Sequence, residues 1–181
     1  MPTIIDGSLG ITYPVTAGST SAVQASSAKI LQVLQTVKTD TFSTTSTSAT
    51  DVTGLSVSIT PTSSSSKILV MYDVKTSMEN FQMSLFLVRG STTIYIGDAA
   101  GSRIRASTAL CGIVDPSDFW RSTVGQTAIF LDSPATTSST TYKVQCQVNA
   151  NTGYVNRSGP DQDDVYRART ASSITVMEIA A

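Results

Sequence analysis

Short apolar runs separated by serine and threonine tracts dominate the chain and predict a β-sheet protein. Strict alternation of apolar and polar residues is clearest at 55–60 and 142–148, which is typical of strands with one solvated face. The predicted strands are residues 29–38, 55–60, 67–75, 81–89, 92–96, 126–131, 142–149 and 173–179. Turn signals at 51–54 and 60–61 separate some of them. Many short strands with turns between them favour an antiparallel sandwich or barrel.

Two predicted strands are apolar on both faces. In 67–75 the residues Leu69 and Met71 oppose four other apolar positions, and 81–89 shows the same double pattern. One face of an antiparallel sandwich is normally solvated, so these strands indicate that something covers the second face, and subunit contacts are the simplest cover. The stretch 29–37 also fits a helical stripe, but its β-branched content favours a strand.

The first 28 residues predict an arm, followed by a β-sandwich domain at 29–181. The arm is rich in Gly, Ser, Thr and Ala and has too few apolar residues to bury a core of its own. Its short apolar hooks between glycines suit extended docking on another surface, although a frayed terminus explains them equally well. The residues predicted to attach the arm are Ile4, Ile5, Leu9, Ile11 and Tyr13.

Charge gives no reason to expect nucleic acid or a membrane as a partner. The chain has 12 basic and 13 acidic residues, a net charge of −1, and no apolar stretch near the roughly 18 residues of a membrane span. Charged residues make up 14% of the chain against about 25% in typical soluble domains. Serine and threonine take their place, which is common in extracellular and virion β proteins. No secretory signal is visible at the amino terminus.

Few residues offer catalytic chemistry. There is no histidine, the cysteines are Cys111 and Cys146, and no phosphate loop or dinucleotide fingerprint occurs. Cys146 falls on the apolar face of its strand, so we expect a buried thiol. We therefore expect no enzyme, cofactor or metal, with sugar cleavage by two carboxylates as the remaining enzymatic alternative.

The acidic cluster Asp161, Asp163 and Asp164 has two interpretations. Its oxygens could hold a hard cation, but it lacks the glycine and terminal glutamate of an EF-hand loop. The favoured interpretation is a solvated loop paired with Arg157, Arg167 and Arg169.

A sugar contact is predicted in the segment 115–121, where an aspartate cap and a proline indicate a single helical turn. The candidate residues are Asp118, Phe119, Trp120 and Arg121, because an aromatic face flanked by hydrogen-bonding groups can grip a saccharide ring. The competing interpretation is that Trp120 fills the core.

Several segments resemble the knob domain of tail-fibre and related appendage proteins of marine and cyanobacterial tailed phages. They are KILQV (29–33), KTDTFSTTS (38–46), DVTGLSVSITP (51–61), SKILV (66–70) and SSITVMEI (172–179), and IDGSLGITYP (5–14) resembles an amino-terminal motif of the same group. The likeness covers most of 29–179 and is weakest at 91–122. There is no extended shaft between arm and knob.

The resemblance implies a homotrimeric virion fibre or spike with a jelly-roll-like β-sandwich at its distal end and an arm that fixes it to the tail, baseplate or capsid. Such a protein would be assembled in the host cytoplasm, and its knob would contact host surface glycan by multivalent weak binding. Two alternatives stay open. One is a capsid decoration protein without receptor binding, and the other is a polysaccharide-degrading enzyme.

Overall fold

The computed structural model describes residues 5–6, 10–11, 29–78, 82–111 and 122–181. In these ranges all the regular secondary structure is β-strand, and no α-helix occurs. The strands are β1 (Ile5–Asp6), β2 (Gly10–Ile11), β3 (Ile30–Lys38), β4 (Phe42–Thr44), β5 (Thr50–Ile59), β6 (Lys67–Met78), β7 (Gln82–Arg89), β8 (Thr92–Ile94), β9 (Thr108–Cys111), β10 (Val124–Asp132), β11 (Thr140–Val148), β12 (Gly153–Val155) and β13 (Ser172–Ile179). The all-β prediction is confirmed, and the ambiguous stretch 29–37 is a strand.

The first sheet is built around β6, which pairs antiparallel with three strands. On one side lie β13 and β12, and on the other side lies β10 along almost its whole length. β3 pairs with β13, and β4 pairs with β12. β4 lies in line with β3, and β12 lies in line with β13. The six strands therefore occupy four positions, in the order β3/β4, β13/β12, β6 and β10.

The second sheet also has four positions, in the order β5, β11, β7 and β8/β9. β11 lies between β5 and β7, and β8 and β9 pair end to end along the far side of β7. The chain passes between the sheets so that β3, the first strand of the sandwich, lies beside β13, its last. Two antiparallel four-position sheets with crossing connections of this kind form a jelly roll. The predicted jelly-roll-like sandwich is therefore confirmed.

The core lies between the sheets and follows the predicted alternation. In β5, in β11 and in β6 as far as Thr76, the inward-pointing residues are buried, while their neighbours are at least partly exposed. Cys146 is one of these core residues, as expected, and burial raises the pKa of its thiol to about 12. The buried apolar side chains of these three strands are Val52, Leu55, Val57, Ile59, Ile68, Val70, Tyr72, Val74, Met78, Tyr142, Val144, Cys146 and Val148.

Two details of the predicted strand boundaries were wrong. The turn expected at 51–54 lies inside β5, where Gly54 has a φ of 83° and the pairing with β11 shifts register. Lys143 pairs with Ser56 and Gln145 with Asp51, so three extra residues of β5 are accommodated there as an irregular bulge, and the strand continues beyond it. Glycine is suited to the positive φ at this position. β8 stops at Ile94 because Tyr95 turns the backbone into the left-handed region, with a φ of 53°.

Side chains bridge the two sheets along one side of the sandwich. Gln32 Nε2 on β3 donates to the carbonyl of Thr60 just after β5, at 2.9 Å, and Thr36 Oγ1 donates to the carbonyl of Ser56 at 2.8 Å. The edge strands β3 and β5 are thus linked by hydrogen bonds from side chains of β3 to main-chain carbonyls at β5. These bonds limit edge-to-edge pairing with other chains.

Glu178 is a fully buried carboxylate on β13 with partners from two other segments. It accepts hydrogen bonds from Gln32 Nε2 at 2.6 Å and from the backbone nitrogen and hydroxyl of Thr62, both at 2.7 Å. Burial by itself would raise the pKa of Glu178, but these hydrogen bonds outweigh it and hold the pKa at about 2. The carboxylate therefore ties β3 and the β5–β6 turn to β13.

Stability should fall at low pH in a way that depends on Glu178. Since the folded pKa lies below its ordinary value of 4.5, the stability that the carboxylate confers is complete above about pH 4.5 and is lost as the pH falls towards 2. We expect Glu178→Gln to lower the melting temperature at pH 7 by about 2–4 °C, the effect of roughly 1 kcal/mol in a domain of this size. We also expect the decrease in melting temperature between pH 4.5 and pH 2 to be smaller in Glu178→Gln than in the wild type. Asp98→Asn, at an exposed carboxylate, is the control and should do neither. An equal decrease in melting temperature at low pH in Glu178→Gln and the wild type would refute this role.

Candidate functional site

The outward side of the first sheet carries a continuous row of apolar side chains. Residues that oppose each other on neighbouring strands point to the same face. Met177 on β13 lies opposite Val33 of β3 and Leu69 of β6, and Leu69 lies opposite Leu131 of β10. The row therefore crosses all four strand positions.

Further apolar residues flank this row. Ile129 lies opposite Met71, and Ile30 lies opposite Ile179. Several of these side chains are well exposed, with Ile129 at 64%, Val33 at 51% and Leu131 at 50%. We call this surface the outer apolar face and define it by Ile30, Val33, Val37, Leu69, Met71, Ile129, Leu131, Met177 and Ile179.

Charged residues lie only at the margins of the outer apolar face. At one end Lys75 Nζ pairs with Asp73 at 2.7 Å, and at the other Lys67 Nζ donates to the hydroxyl of Ser133 at 2.7 Å. The β12–β13 loop, residues 156–171, borders the Asp73 end, because Gly159 N donates to the hydroxyl of Ser77 at 3.1 Å. The centre of the face is thus uncharged and framed by polar groups.

The sequence placed the uncovered surface partly on the wrong strand. It predicted that the second faces of both 67–75 and 81–89 need a cover from outside the chain. On β7 this is wrong, because Ser84, Phe86 and Val88 on its outward side are already buried within a single chain. On β6, Leu69 and Met71 are half-buried and belong to the outer apolar face. The most exposed member, Ile129, was missed, although β10 has apolar residues at both odd and even positions.

Most of the predicted contact residues fall outside the described ranges. This applies to Asp118, Phe119, Trp120 and Arg121, and to Ile4, Leu9 and Tyr13 of the arm. Ile5 and Ile11 are backbone partners in the antiparallel pair of β1 and β2. The glycan contact at 118–121 and the role of the arm stay predictions.

The acidic cluster in the β12–β13 loop is engaged by arginines, as the favoured interpretation expected. Asp161 pairs with Arg157 at 3.1 Å and with Arg169 at 2.5 Å, and Asp164 lies 3.9 Å from Arg167 Nε. Within the described part of the chain, no three acidic, cysteine or histidine residues come together as a possible metal site. Both carboxylate oxygens of Asp161 already have cationic partners.

A small cavity opens beside the end of β8. It has a volume of about 230 Å³ and is lined by Tyr95, Ile96, Gly97, Ala106 and Ser107. The backbone of the β8–β9 loop closes on itself there, since Gly97 N donates to the carbonyl of Ala106 at 3.2 Å. The cavity therefore has walls held by main-chain hydrogen bonds.

Further aromatic rings and hydroxyl groups lie next to the residues that line this cavity. The ring of Tyr95 packs against that of Phe130 on β10, with centroids 5.2 Å apart. Next to the lining residue Ser107, Thr108 shares a hydrogen bond of 2.8 Å with the hydroxyl of Tyr72. Burial raises the pKa of Tyr72 to about 12, so this hydroxyl stays protonated at neutral pH. Arg105 Nε donates to the carbonyl of Gly97 at 2.7 Å.

Comparison with known proteins found no matching family model and no matching curated protein. In the described ranges, no helix has the length and apolar character needed to span a membrane. The phage resemblance in the sequence is therefore the basis of a proposal, and the outer apolar face and the Tyr95 cavity are the structural features from which a function is argued.

Calcium should not stabilise this protein. The carboxylate of Asp161 is neutralised by two arginines, so a divalent cation would have to displace them before it could bind. We expect the melting temperature in 5 mM CaCl₂ to match that in 5 mM EDTA at equal ionic strength. A rise of more than about 2 °C with calcium would show that the loop is a cation site.

Proposed function

We propose that this chain is a non-enzymatic structural protein of a tailed-phage virion, a homotrimeric fibre or spike whose jelly-roll knob contacts host surface glycan. The observation that carries the proposal is the outer apolar face. A single chain leaves Ile129, Leu131 and Val33 at least half exposed on one continuous surface. Exposed apolar patches of this extent mark interaction sites in soluble proteins.

The outer apolar face is large enough for a stable contact. Four strands about 4.8 Å apart and a β3 length of about 3.3 Å per residue give a planar area of about 550 Å². Side-chain relief adds to this value, which brings it near the roughly 800 Å² that each partner contributes to an interface of standard size. The whole sheet surface, and not a single side chain, would be covered by a partner.

A second copy of the chain fits this face better than a charged partner does. Among the described residues, the charged groups of the face lie at its margins, where Asp73 and Lys75 neutralise each other at one end and Lys67 lies at the other. A surface with an uncharged centre and one lysine at its margin exerts only a weak field to steer nucleic acid or an anionic membrane towards it. It suits homo-oligomers, whose interfaces are more apolar than those of transient complexes.

Three of the segments that resemble phage appendage proteins contribute to this surface. KILQV belongs to β3, SKILV leads into β6, and SSITVMEI is β13. These segments are far apart in the sequence, yet their strands are adjacent, in the order β3, β13, β6. These segments thus supply more than half of the residues of the outer apolar face. The resemblance that they carry supports an assembly of three chains and a location in the virion.

A lysine on the outer apolar face should dissociate the oligomer. We expect wild-type protein to have a light-scattering mass of three chains, and Ile129→Lys to shift it towards one chain at the same concentration. A buried unpaired ammonium group should weaken each contact at least about tenfold. The matched control is Ile104→Lys, because Ile104 is an exposed isoleucine on the β8–β9 loop of the other sheet.

Two results would contradict the proposal. A single-chain mass for the wild type at micromolar concentrations would exclude the homotrimer. Imaging of the particle that shows isolated copies bound over the capsid shell would identify a decoration protein instead.

A further inference from the structure

We infer that the cavity beside Tyr95 is a binding site for one neutral sugar ring. This inference rests on the proposed contact with host glycan and locates such a contact on the β8–β9 loop. The site is separate from the outer apolar face, which belongs to the other sheet.

The backbone of Tyr95 is held in an unfavourable conformation. Its φ of 53° lies in the left-handed region, where a bulky residue other than glycine is rare. Such residues persist only where the surrounding structure enforces them, and they cluster at ligand-binding positions. Tyr95 lines the cavity, and 43% of the residue is exposed.

The ring is supported from behind. Phe130 packs against Tyr95 with an interplanar angle of 35°, and Phe130 is itself half-buried against the core. A ring fixed in this way loses little conformational freedom when a ligand packs on it. The apolar C–H face of a sugar ring is a suitable partner for an exposed aromatic surface with polar groups close by.

The five lining residues carry no charge. Ser107 Oγ accepts a hydrogen bond from Leu87 N at 2.8 Å, so its own proton and a second lone pair are the polar groups that the lining offers to a ligand. Arg105 stands beside the cavity with its Nε already bonded to the carbonyl of Gly97. Uncharged donors and acceptors around an aromatic wall match the hydroxyl groups of a neutral saccharide.

The size of the cavity limits the ligand. Its volume of about 230 Å³ is below the range of about 300–1,000 Å³ typical of pockets for drug-sized ligands. One pyranose ring fits this space, and the remainder of an oligosaccharide would extend into solvent. Weak single-ring binding repeated on three copies would give useful avidity on a cell surface.

The test uses saturation-transfer NMR on the full chain with the methyl glycosides of glucose, galactose, mannose and N-acetylglucosamine. We expect saturation transfer to at least one glycoside, strongest at ring protons. Tyr95→Asn removes the ring but keeps a residue that tolerates a positive φ, so the loop should stay folded. It should weaken binding about three- to tenfold. Tyr95→Phe should bind like the wild type.

The matched control is Tyr166→Asn, since Tyr166 is an almost fully exposed tyrosine on the β12–β13 loop, away from the cavity. It should leave binding unchanged. Absence of transfer to all four glycosides, or equal binding by wild type and Tyr95→Asn, overturns the sugar site. Light scattering on the same samples separates the two ideas: a trimer without sugar binding refutes only this inference, and a monomer that binds sugar refutes only the proposed assembly.

Discussion

The register of the first sheet is the constraint on which the rest of the structure depends. The half of β6 before Tyr72 is apolar on both faces, so there a slip of one residue would exchange one apolar set for another and would carry only a small hydrophobic penalty. In most sandwich strands the solvated face is polar and the slip is strongly disfavoured. Something other than the apolar pattern must therefore specify how β6 pairs with β10 and β13.

Buried polar contacts supply that specification. Glu178 meets Gln32 and Thr62 only if β13 is in its observed register with β3. Asn156 donates to the carbonyl of Lys38 at 2.8 Å and accepts a hydrogen bond from Ser172 at 2.6 Å. Each of these groups would be left without a partner in a dry environment after a slip, which is costly. We infer that they select the register, in addition to any net stability they provide.

Asp132 has the same role at the far end of β10. Its carboxylate accepts a hydrogen bond from the buried hydroxyl of Tyr142 at 2.6 Å and pairs with Arg89 at 2.8 Å. Tyr142 and Arg89 belong to the second sheet, so this cluster also sets how the two sheets sit on each other. Because the register is fixed by these inner contacts, the outward side of the first sheet is free to be apolar and available to a partner.

Local patterns in the sequence determined the strand content and the inward face of most strands. Alternation at Val144, Cys146 and Val148 requires a strand with one buried side, and that inference needs no knowledge of neighbours. The short strands β4, β9 and β12 could not be found in this way, since three or four residues are too few to show a period. The same limit applies to the bulge at Gly54, where the glycine signalled a turn but the partner strand continued.

The sequence by itself established an all-β chain that is rich in serine and threonine and has two strands that are apolar on both faces. Only the tertiary structure decided that Phe86 and Val88 are covered by their own chain while Ile129 and Leu131 are not. It also decided that the side chain of Tyr95 borders a cavity with Ser107. The physical reason is that the period of a strand reports which residues share a face, whereas the cover of that face depends on pairings between residues distant in the chain.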